Sequence, residues 1–259
     1  MSPAASDDAA AAPFFGEPKD VARERLLLTL AVLAYFVAGF ETVAAVAAPG
    51  RAHTLHTAFD DAIPLVPWTV FLYSWVYASA LYPVFVLRSR ALLRRAVVAA
   101  TLTLTVAFVC FAVYPVTSVG LRPDPSLLDD TRFDEWGLRL TYFADPPYNL
   151  FPSLHLGTAT VAALSAGRAS RWLGLAGAPV VLAIAVTICT TKQHYLVDGV
   201  AAMVLAAAVW FAVLRSARPE PGETPAFGWR GAAVYVGFHA LVYGFFGALF
   251  LAGYRPWAR

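Results

Sequence analysis

Residues Leu26–Ala47, with the sequence LLLTLAVLAYFVAGFETVAAVA, are the first of several long apolar runs that decide the fold of this chain. The run carries a single charged side chain, Glu41. A helix needs about 20 apolar residues to cross the ~30 Å hydrocarbon core of a bilayer. This stretch therefore predicts a membrane-spanning helix.

The composition of the chain points to the same class of protein. Hydrophobic residues make up 59% of the 259 residues and charged residues 14%, whereas a soluble domain carries about 25% charged residues. The formal net charge is +2 and no dense basic patch occurs, so nucleic acid is not an expected partner. Cys110 and Cys189 both lie inside apolar runs, so they are interpreted as packing residues rather than as a disulfide.

Six further apolar runs predict additional membrane spans. The fourth of the seven spans is short. We therefore predict an all-α, polytopic membrane helical bundle. Residues 1–24 are rich in Ala, Asp and Pro and have no apolar core, so they predict a disordered tail. The seven predicted spans cover residues 26–47, 67–87, 96–116, 154–166, 172–190, 195–214 and 232–254.

The distribution of Lys and Arg predicts how these spans are oriented. Cytoplasmic loops carry an excess of both residues. With the N-terminus in the cytoplasm, twelve of the 19 Lys and Arg residues lie in cytoplasmic segments and seven in external ones. The cluster within residues 88–95 is the strongest single contribution, since it occupies one short connection. The sequence therefore predicts a cytoplasmic N-terminus.

Two short polar insertions interrupt the apolar pattern, NLFPSLH at residues 149–155 and TKQHYLVD at residues 191–198. The predicted topology places both of them, together with the long loop of residues 120–148, on the external face. Ionisable groups beside membrane spans are functional candidates, because they are costly in hydrocarbon. Two histidines, His155 and His194, are thus expected near one membrane surface.

His194 and Asp198 have a spacing that favours nucleophilic catalysis. Side chains four residues apart at the start of a helix lie on one face, about 5–6 Å apart at Cβ. The Asp198 carboxylate can then hold one imidazole nitrogen and leave the lone pair of the other free to attack. His155 enters from another span and can act first as general acid and then as general base. The two histidines predict phosphate-ester chemistry in two displacements.

Phosphate-ester chemistry also needs cationic and hydrogen-bonding groups for the phosphoryl oxygens. Arg122, Ser153 and Lys192 are the candidates. Arg122 is favoured because its planar guanidinium can hold two oxygens at once. Thr190 and Thr191 are interpreted as structural residues at the end of a span.

The external loops contain further polar groups with two open interpretations. His53 and His56, followed by Asp60 and Asp61, are interpreted as a polar loop, with a metal site as the alternative. The same two interpretations apply to the acidic run within residues 129–135.

Polar and aromatic side chains also occur within the first two predicted spans. Glu41 either lines a substrate pocket or pairs with an external arginine. The aromatic residues of the second span are interpreted as interfacial and packing residues, namely Trp68, Tyr73, Trp75 and Tyr77.

The motifs resemble those of the type 2 phosphatidic acid phosphatase superfamily, which is related to the vanadium haloperoxidases. That superfamily has a first motif that ends in Arg-Pro, a second that reads Pro-Ser-Gly-His, and a third with His, three residues and Asp. In this chain Arg122-Pro123, Pro152-Ser153-Leu154-His155 and His194 with Asp198 match in that order. The resemblance covers about residues 64–214.

The resemblance implies a fold and a set of roles. It implies a six-helix phosphatase-type core, here with one additional C-terminal span. His194 would be the nucleophile, Asp198 its orienting partner, and His155 the general acid and base. Arg122 and Ser153 would be phosphate ligands.

The chain departs from the superfamily pattern at two cationic positions. Pro115 occupies the position of the usual lysine of the first motif, and Ile188 that of the arginine of the third. Leu154 replaces a glycine, and Lys192 is expected to replace one of the missing cations. With these substitutions the chain resembles the inositol-phosphorylceramide synthase branch. That branch shares the FPSLH and TKQHY sequences and the IPLVPW sequence of residues 63–68. That branch transfers a phosphorylated head group between lipids.

The sequence therefore predicts a lipid-phosphate phosphatase or phosphotransferase that acts through a phosphohistidine at His194, without a metal or other cofactor. Residues 25–259 are predicted to be one transmembrane catalytic domain of the plasma membrane, with a cytoplasmic tail (1–24) and an external active site. The expected partners are a lipid phosphate and, for transfer, a polyol such as inositol. Hydrolysis and transfer both stay open, and so does a non-catalytic lipid-binding or transport protein.

Overall fold

The computed structural model describes residues 16–46 and 49–258, and helices dominate this part of the chain. No β-strand occurs within these two ranges, and the predicted all-α bundle is confirmed. Short 3-10 helices cover Pro49–Arg51, Pro67–Thr69, Pro125–Leu127 and Pro256–Ala258, and a π-helical turn, Trp210–Leu214, extends α10. The α-helices are α1 (Lys19–Val46), α2 (Ala58–Ala62), α3 (Val70–Tyr73), α4 (Val76–Ser79), α5 (Tyr82–Val86), α6 (Arg90–Val113), α7 (Phe133–Ala144), α8 (Leu154–Ala169), α9 (Arg171–Thr190), α10 (Leu196–Val209) and α11 (Trp229–Leu251).

Five segments are long and apolar enough to cross a membrane, and they coincide with five of the seven predicted spans. Many of their large apolar side chains are exposed, as expected for helices that face lipid. The five segments indicate an integral membrane protein. They are Lys19–Val46, Arg90–Val113, Arg171–Thr190, Leu196–Leu214 and Trp229–Ala258.

The second predicted span, residues 67–87, is wound less regularly than expected. It forms a 3-10 turn followed by α3, α4 and α5, which are joined by turns rather than by one continuous helix. Ser74 and Ser79 contribute to this, because their hydroxyls donate to backbone carbonyls three residues earlier, at 2.7 and 3.0 Å. Pro83 contributes because its nitrogen carries no hydrogen to donate. The apolar pattern predicted a helical segment here, but it did not predict that turns would interrupt the helix.

Helix α8, the fourth predicted span, packs between α6, α9 and α10 at the centre of the bundle. It has 16 residues, so it is about 24 Å long and shorter than a full membrane crossing. Ser153 determines where it begins, because its Oγ caps the helix by accepting from the Leu156 N–H. Small buried residues, Ala159, Ala162 and Ala166, lie along its length and let the neighbouring helices approach closely.

Charged contacts attach the beginning of α1 to the rest of the bundle. Glu24 accepts a hydrogen bond from Nε of Arg90 at 2.8 Å, which joins α1 to α6. Arg25 is buried and pairs with Glu17, with Nε 2.9 Å from Oε1. Of the predicted disordered tail, residues 1–24, the first fifteen lie outside the described residues. The last six belong to α1, because these ion pairs fix them in the helix.

The additional C-terminal span, α11, packs against α5 and α7. Near its beginning the Tyr235 ring lies against Tyr82, with centroids 4.9 Å apart. Beyond its end the Tyr254 carbonyl accepts from Nε1 of Trp136 in α7, at 2.8 Å. Helix α11 is therefore attached to the bundle at both ends.

Gly39 allows α1 to pack closely against α6, and this contact yields a prediction for stability. A Cβ atom at Gly39 would overlap the ring of Phe108 on α6. We expect Gly39→Ala to destabilise the protein by about 1–3 kcal/mol, because the ring or the helix must move. Thermal unfolding in one detergent measures this.

Gly237, which is exposed in α11 with open space around its Cβ position, provides the matched control. We expect Gly237→Ala to be neutral or to stabilise by about 0.5–1 kcal/mol, since alanine favours a helix more than glycine does. Equal effects of the two substitutions would contradict the packing role of Gly39.

Candidate active site

The loops that follow α6, α7 and α9 meet at the end of the bundle where α8 and α10 begin. The Ser118 N–H donates to the Pro147 carbonyl at 2.8 Å, which joins the first two loops. The Ser153 N–H donates to the Asp198 carbonyl at 3.1 Å, which joins the start of α8 to α10. These backbone bonds bring the three sequence motifs to one place.

The two histidines of the polar insertions face each other in this region. Nδ1 of His155 lies 2.9 Å from Nε2 of His194, and the ring centroids are 5.2 Å apart. On the opposite side of its ring, Nδ1 of His194 lies 3.3 Å from Oδ2 of Asp198. The convergence of the imidazoles, expected from the sequence, is therefore present.

Asp198 is placed by its position in the first turn of α10. It is fully buried, and the same Oδ2 accepts from the Tyr195 N–H at 2.9 Å, so the carboxylate also caps the helix. Its other oxygen, Oδ1, has no hydrogen-bond partner within the described part of the chain. One carboxylate thus fixes both the helix end and the orientation of the His194 ring.

Tyr73 contacts His155, although the sequence suggested only interfacial and packing contacts for this tyrosine. Its hydroxyl lies 3.1 Å from Nε2 and 3.2 Å from Nδ1 of His155, and the side chain is fully buried. No motif surrounds Tyr73 in the sequence. Only the winding of residues 67–87 brings it to the site, so nothing local could have identified it.

Arg122 lies at the edge of the histidine pair, where protein groups already contact its guanidinium. Nη1 donates to the Asp145 carbonyl at 2.9 Å, and Nη2 donates to Oε1 of Gln193. Nη2 is also 3.7 Å from the Asp145 carboxylate, and the guanidinium lies over the Tyr142 ring. Its Nε has no hydrogen-bond partner among the described residues.

Asp145 is a second acidic group beside the histidines, and sequence reasoning did not select it. Burial raises the pKa of its carboxyl, although the positive charge of Arg122 opposes the shift. The residue follows α7 in a loop without a recognisable motif.

Two predicted phosphate ligands, Ser153 and Lys192, have other partners in the structure. The Ser153 side chain is buried and its Oγ caps α8. Lys192 has a left-handed backbone, with φ of 54°, and its Nζ donates to the carbonyls of Asp60 at 2.9 Å and Ile63 at 2.6 Å. Its ammonium therefore holds the segment around α2 rather than pointing at the histidines.

Ile188, at one of the two positions that lack the usual cation, has apolar surroundings. Ile188 is fully buried in the core beside Tyr73 and Leu156. Its carbonyl accepts from the backbone N–H groups of Gln193 and His194, both at 3.0 Å. The residue shapes the turn that carries His194 but supplies no charge.

Unpaired polar atoms mark the surroundings of the histidine pair. Asn149 is buried, yet neither Oδ1 nor Nδ2 has a hydrogen-bond partner in the described structure, and the same holds for Nε2 of Gln193. Buried polar groups are normally paired, so such atoms indicate a place for a ligand or water. Both residues lie inside the polar insertions, which is the signal that could have found them.

A cavity of about 350 Å³ begins at this polar group and continues into the bundle. Asp145, Asn149, His155 and His194 line one end. Apolar side chains from α1, α6, α8 and the second segment line most of the remainder, including Val32, Phe36, Leu81, Val97, Leu104 and Val161. Glu41 is exposed and does not line it.

The alternative metal sites have other contacts. His56 pairs with Asp61 at 2.9 Å, and the acidic run around Asp130 pairs with Arg132 and Arg139. Within residues 16–46 and 49–258, no group of three or more His, Cys, Asp or Glu side chains is arranged to hold a metal ion.

The fold and the site define a polytopic membrane protein with a histidine pair supported by a buried carboxylate. The chain matches the family model described as the PAP2 superfamily over residues 51–212, and it belongs to that superfamily of type 2 phosphatidic acid phosphatases. Its members are generally phosphatases. No curated protein and no solved structure matches the chain. The family match includes both histidines and leaves out α1 and α11.

Asp60 connects α2 to both sides of the His194 turn. Its carbonyl accepts from Lys192, and its Oδ1 accepts from the Leu196 N–H at 2.8 Å. Its Oδ2 accepts from the Thr57 N–H at 2.8 Å. Burial acts to raise the pKa of this carboxyl, but the hydrogen bonds from Thr57 and Leu196 outweigh it and lower the pKa.

The lowered pKa of Asp60 gives a pH-dependent prediction. A carboxyl that binds its proton more weakly when folded stabilises the protein above its unfolded pKa of about 4, and this contribution is lost as the pH falls further. We expect Asp60→Asn to lower the melting temperature at pH 7 and to reduce the loss of stability between about pH 5 and pH 3. Thermal unfolding across this range measures both effects.

Asp61→Asn is the control, because Asp61 is exposed and pairs only with His56 among the described contacts. It should leave the pH profile unchanged. An Asp60→Asn profile parallel to that of the wild type would show that Asp60 does not hold the turn in its ionised form.

Proposed function

We propose that this protein is a membrane enzyme that attacks a lipid phosphoester through a phosphohistidine at His194. The observation that carries the proposal is the 2.9 Å approach of His155 and His194, with Asp198 behind, at the polar end of an otherwise apolar cavity. Membership of the PAP2 superfamily supports phosphatase-type chemistry.

In the first step, His194 attacks the phosphorus atom. Asp198 accepts a hydrogen bond from Nδ1–H of His194, so the Nε2 lone pair is directed toward His155 and the cavity. As the N–P bond forms, the P–O bond to the departing alcohol breaks, and His155 gives its proton to that oxygen. Asp198 stabilises the positive charge that develops on the ring of His194.

In the second step, water or an alcohol replaces the histidine. His155, now neutral, takes a proton from the incoming hydroxyl, whose oxygen attacks phosphorus while the N–P bond breaks. Tyr73 keeps the His155 ring in place through its hydroxyl contact. His194 is then free for another cycle.

The phosphoryl oxygens require donors in both steps. The unpaired Nε of Arg122, Nε2 of Gln193 and the amide of Asn149 suit this role, and Asn149 lines the same cavity as both histidines. Ser153 and Lys192 also stay predicted phosphate ligands. To bind a phosphoryl oxygen, each side chain would have to release its present hydrogen-bond partners.

The apolar remainder of the cavity suits the hydrocarbon part of a lipid. The lining residues come from α1 as well as from the family region, so α1 would take part in lipid binding.

We further propose the inositolphosphotransferase-like branch, with a polyol such as inositol as one acceptor and water as the other. The FPSLH and TKQHY sequences support this branch. The apolar residues Pro115 and Ile188, which stand where the superfamily pattern has cations, support it as well. The same replacements favour the second candidate, a non-catalytic lipid-binding or transport relative. The excess of Lys and Arg at the end of the bundle near Arg90 supports a cytoplasmic N-terminus and an external site, and we propose the plasma membrane as the location.

His194→Gln tests the nucleophile. We expect turnover of a labelled lipid phosphate to fall by about a thousandfold or more, because the proposed covalent intermediate forms on His194 and glutamine has no nucleophilic nitrogen in its place. Lipid binding should persist, since the cavity is unchanged. Enzyme quenched at alkaline pH, where the N–P bond of phosphohistidine is stable, should carry the phosphoryl group on His194 in the wild type alone, as identified by mass spectrometry.

His56→Gln is the matched control, since His56 is exposed and its ring bonds to Asp61 rather than to either histidine of the pair. It should keep nearly full activity. Normal turnover in His194→Gln would exclude the mechanism, whereas binding without turnover in the wild type would favour the second candidate.

Val97→Trp tests the lipid-chain part of the cavity. Val97 lines the cavity on α6, so a larger side chain should fill it and lower kcat/KM for long-chain substrates by about tenfold or more. Short-chain substrates should be affected less. The comparison uses one head group with two chain lengths.

Val98→Trp provides the control, because the adjacent Val98 is exposed on the same helix. Its chain-length preference should match that of the wild type. The same loss for both chain lengths in Val97→Trp would contradict a chain-binding cavity.

A further inference from the structure

The cavity beside the histidine pair is elongated and runs along α8. His155 lines its polar end, and Ser165, ten residues later in the same helix, lines the other end. An α-helix rises about 1.5 Å per residue, so the two ends lie about 15 Å apart. The lining residues of α1 and α6 fall within 29–40 and 93–104, which gives almost the same length. The cavity therefore extends from the reacting groups to the opposite part of the bundle.

The end of the cavity at Ser165 is buried and apolar. Leu93 of α6 lines the same end, and the exposed fractions of Ser165 and Leu93 are 2% and 3%. The hydroxyl of Ser165 donates to the Val161 carbonyl at 2.7 Å, and that of Thr29 donates to the Arg25 carbonyl at 2.8 Å. Both hydroxyls are thus bonded within their own helices. Thr29, Leu93 and Ser165 together form the floor of the cavity.

A buried ion pair lies beyond the floor. Arg25 precedes Thr29 by one helical turn, and its Nε is 2.9 Å from Oε1 of Glu17. Nη1 of Arg25 donates to the Val84 carbonyl at 3.0 Å, and Val84 itself lines the cavity. A hydrocarbon chain that passed the floor would have to separate these groups, which is costly for a buried charge. The ion pair therefore closes this end of the cavity.

A closed end limits the length of the chain that fits. A chain that ends above the floor meets no obstacle. Once its last carbon reaches the floor, each further methylene group has to enter space that is already filled, and overpacking of this kind is unfavourable. Affinity should therefore fall by about tenfold for chains that exceed the limit.

We propose, in an inference that rests on the function proposed above for its ligand, that the cavity measures the hydrocarbon chain of the lipid phosphate. Ser165 and Leu93 are the residues that set the longest chain that fits. The limit corresponds to a chain whose extended form is about 15 Å long. This length is about the hydrocarbon depth of one leaflet, which is half of the ~30 Å core.

The test uses 1-acyl-glycerol-3-phosphates, which carry a single acyl chain, in a series of increasing length. An equimolar mixture in detergent micelles is added to the full-length His194→Gln variant, which consumes no lipid, and native mass spectrometry counts the bound lipid of each length. In the wild type, kcat/KM for each lipid gives a second profile. We expect both profiles to fall by about tenfold beyond one chain length.

Two substitutions at the floor should move this limit in opposite directions. Ser165→Leu fills space at the floor and should move the limit to shorter chains. Leu93→Ala opens space there and should move it to longer chains, which loss of stability alone would not do. Thr160→Leu is the matched control, since Thr160 is a buried residue of the same helix whose hydroxyl contacts Met203. It should leave the limit unchanged.

The possible failures are distinguishable. Binding and turnover without any length limit in the wild type, with phosphohistidine at His194, overturn this inference and leave the proposed function intact. A limit that does not move in folded Ser165→Leu and Leu93→Ala overturns the role of the floor. A length limit in binding, without turnover or a covalent intermediate, supports this inference and overturns the proposed function. If Ser165→Leu does not fold, the wild-type profile and Leu93→Ala still decide the matter.

Discussion

The close approach of two imidazoles from separate helices is the constraint on which the rest of the structure depends. His155 lies in the first turn of α8 and His194 in the turn before α10, so their nitrogens meet only if both helices begin at the same level. Ser153 secures this, since it caps α8 with its side chain and bonds to the Asp198 carbonyl with its N–H.

Contacts of Asp60 and Lys192, neither of which belongs to the histidine pair, also hold the turn that carries His194. Asp60 binds backbone or side-chain groups on both sides of His194, and Lys192 completes the connection. Lys192 adopts a left-handed backbone conformation, which is unfavourable for a residue with a side chain. The ammonium contacts with two carbonyls offset that cost, so the residue holds a turn whose shape is otherwise strained.

The helical architecture could be predicted from the sequence because apolar runs and their lengths are local properties. Five predicted spans correspond to helices of sufficient length, and the start of α8 at Leu154 was predicted correctly. The uneven winding of residues 67–87 was not predicted, since it depends on serine hydroxyls that compete for backbone carbonyls. In the site, the spacing of His194 and Asp198 was sufficient to pair them. The positions of Tyr73 and Asp145, and the direction of the Lys192 side chain, depend on tertiary contacts that no local pattern encodes.

Helix α1 is largely exposed along its apolar side chains, including Leu26, Leu30 and Val37, and yet Val32 and Phe36 on the same helix line the cavity. A single helix thus separates the interior of the protein from the surrounding bilayer. The hydrocarbon tails of a lipid substrate would move from the apolar bilayer core to the apolar part of the cavity. Only the head group would enter a different kind of environment. The thermodynamic drive for capture would then come from the phosphate end rather than from dehydration of the tails.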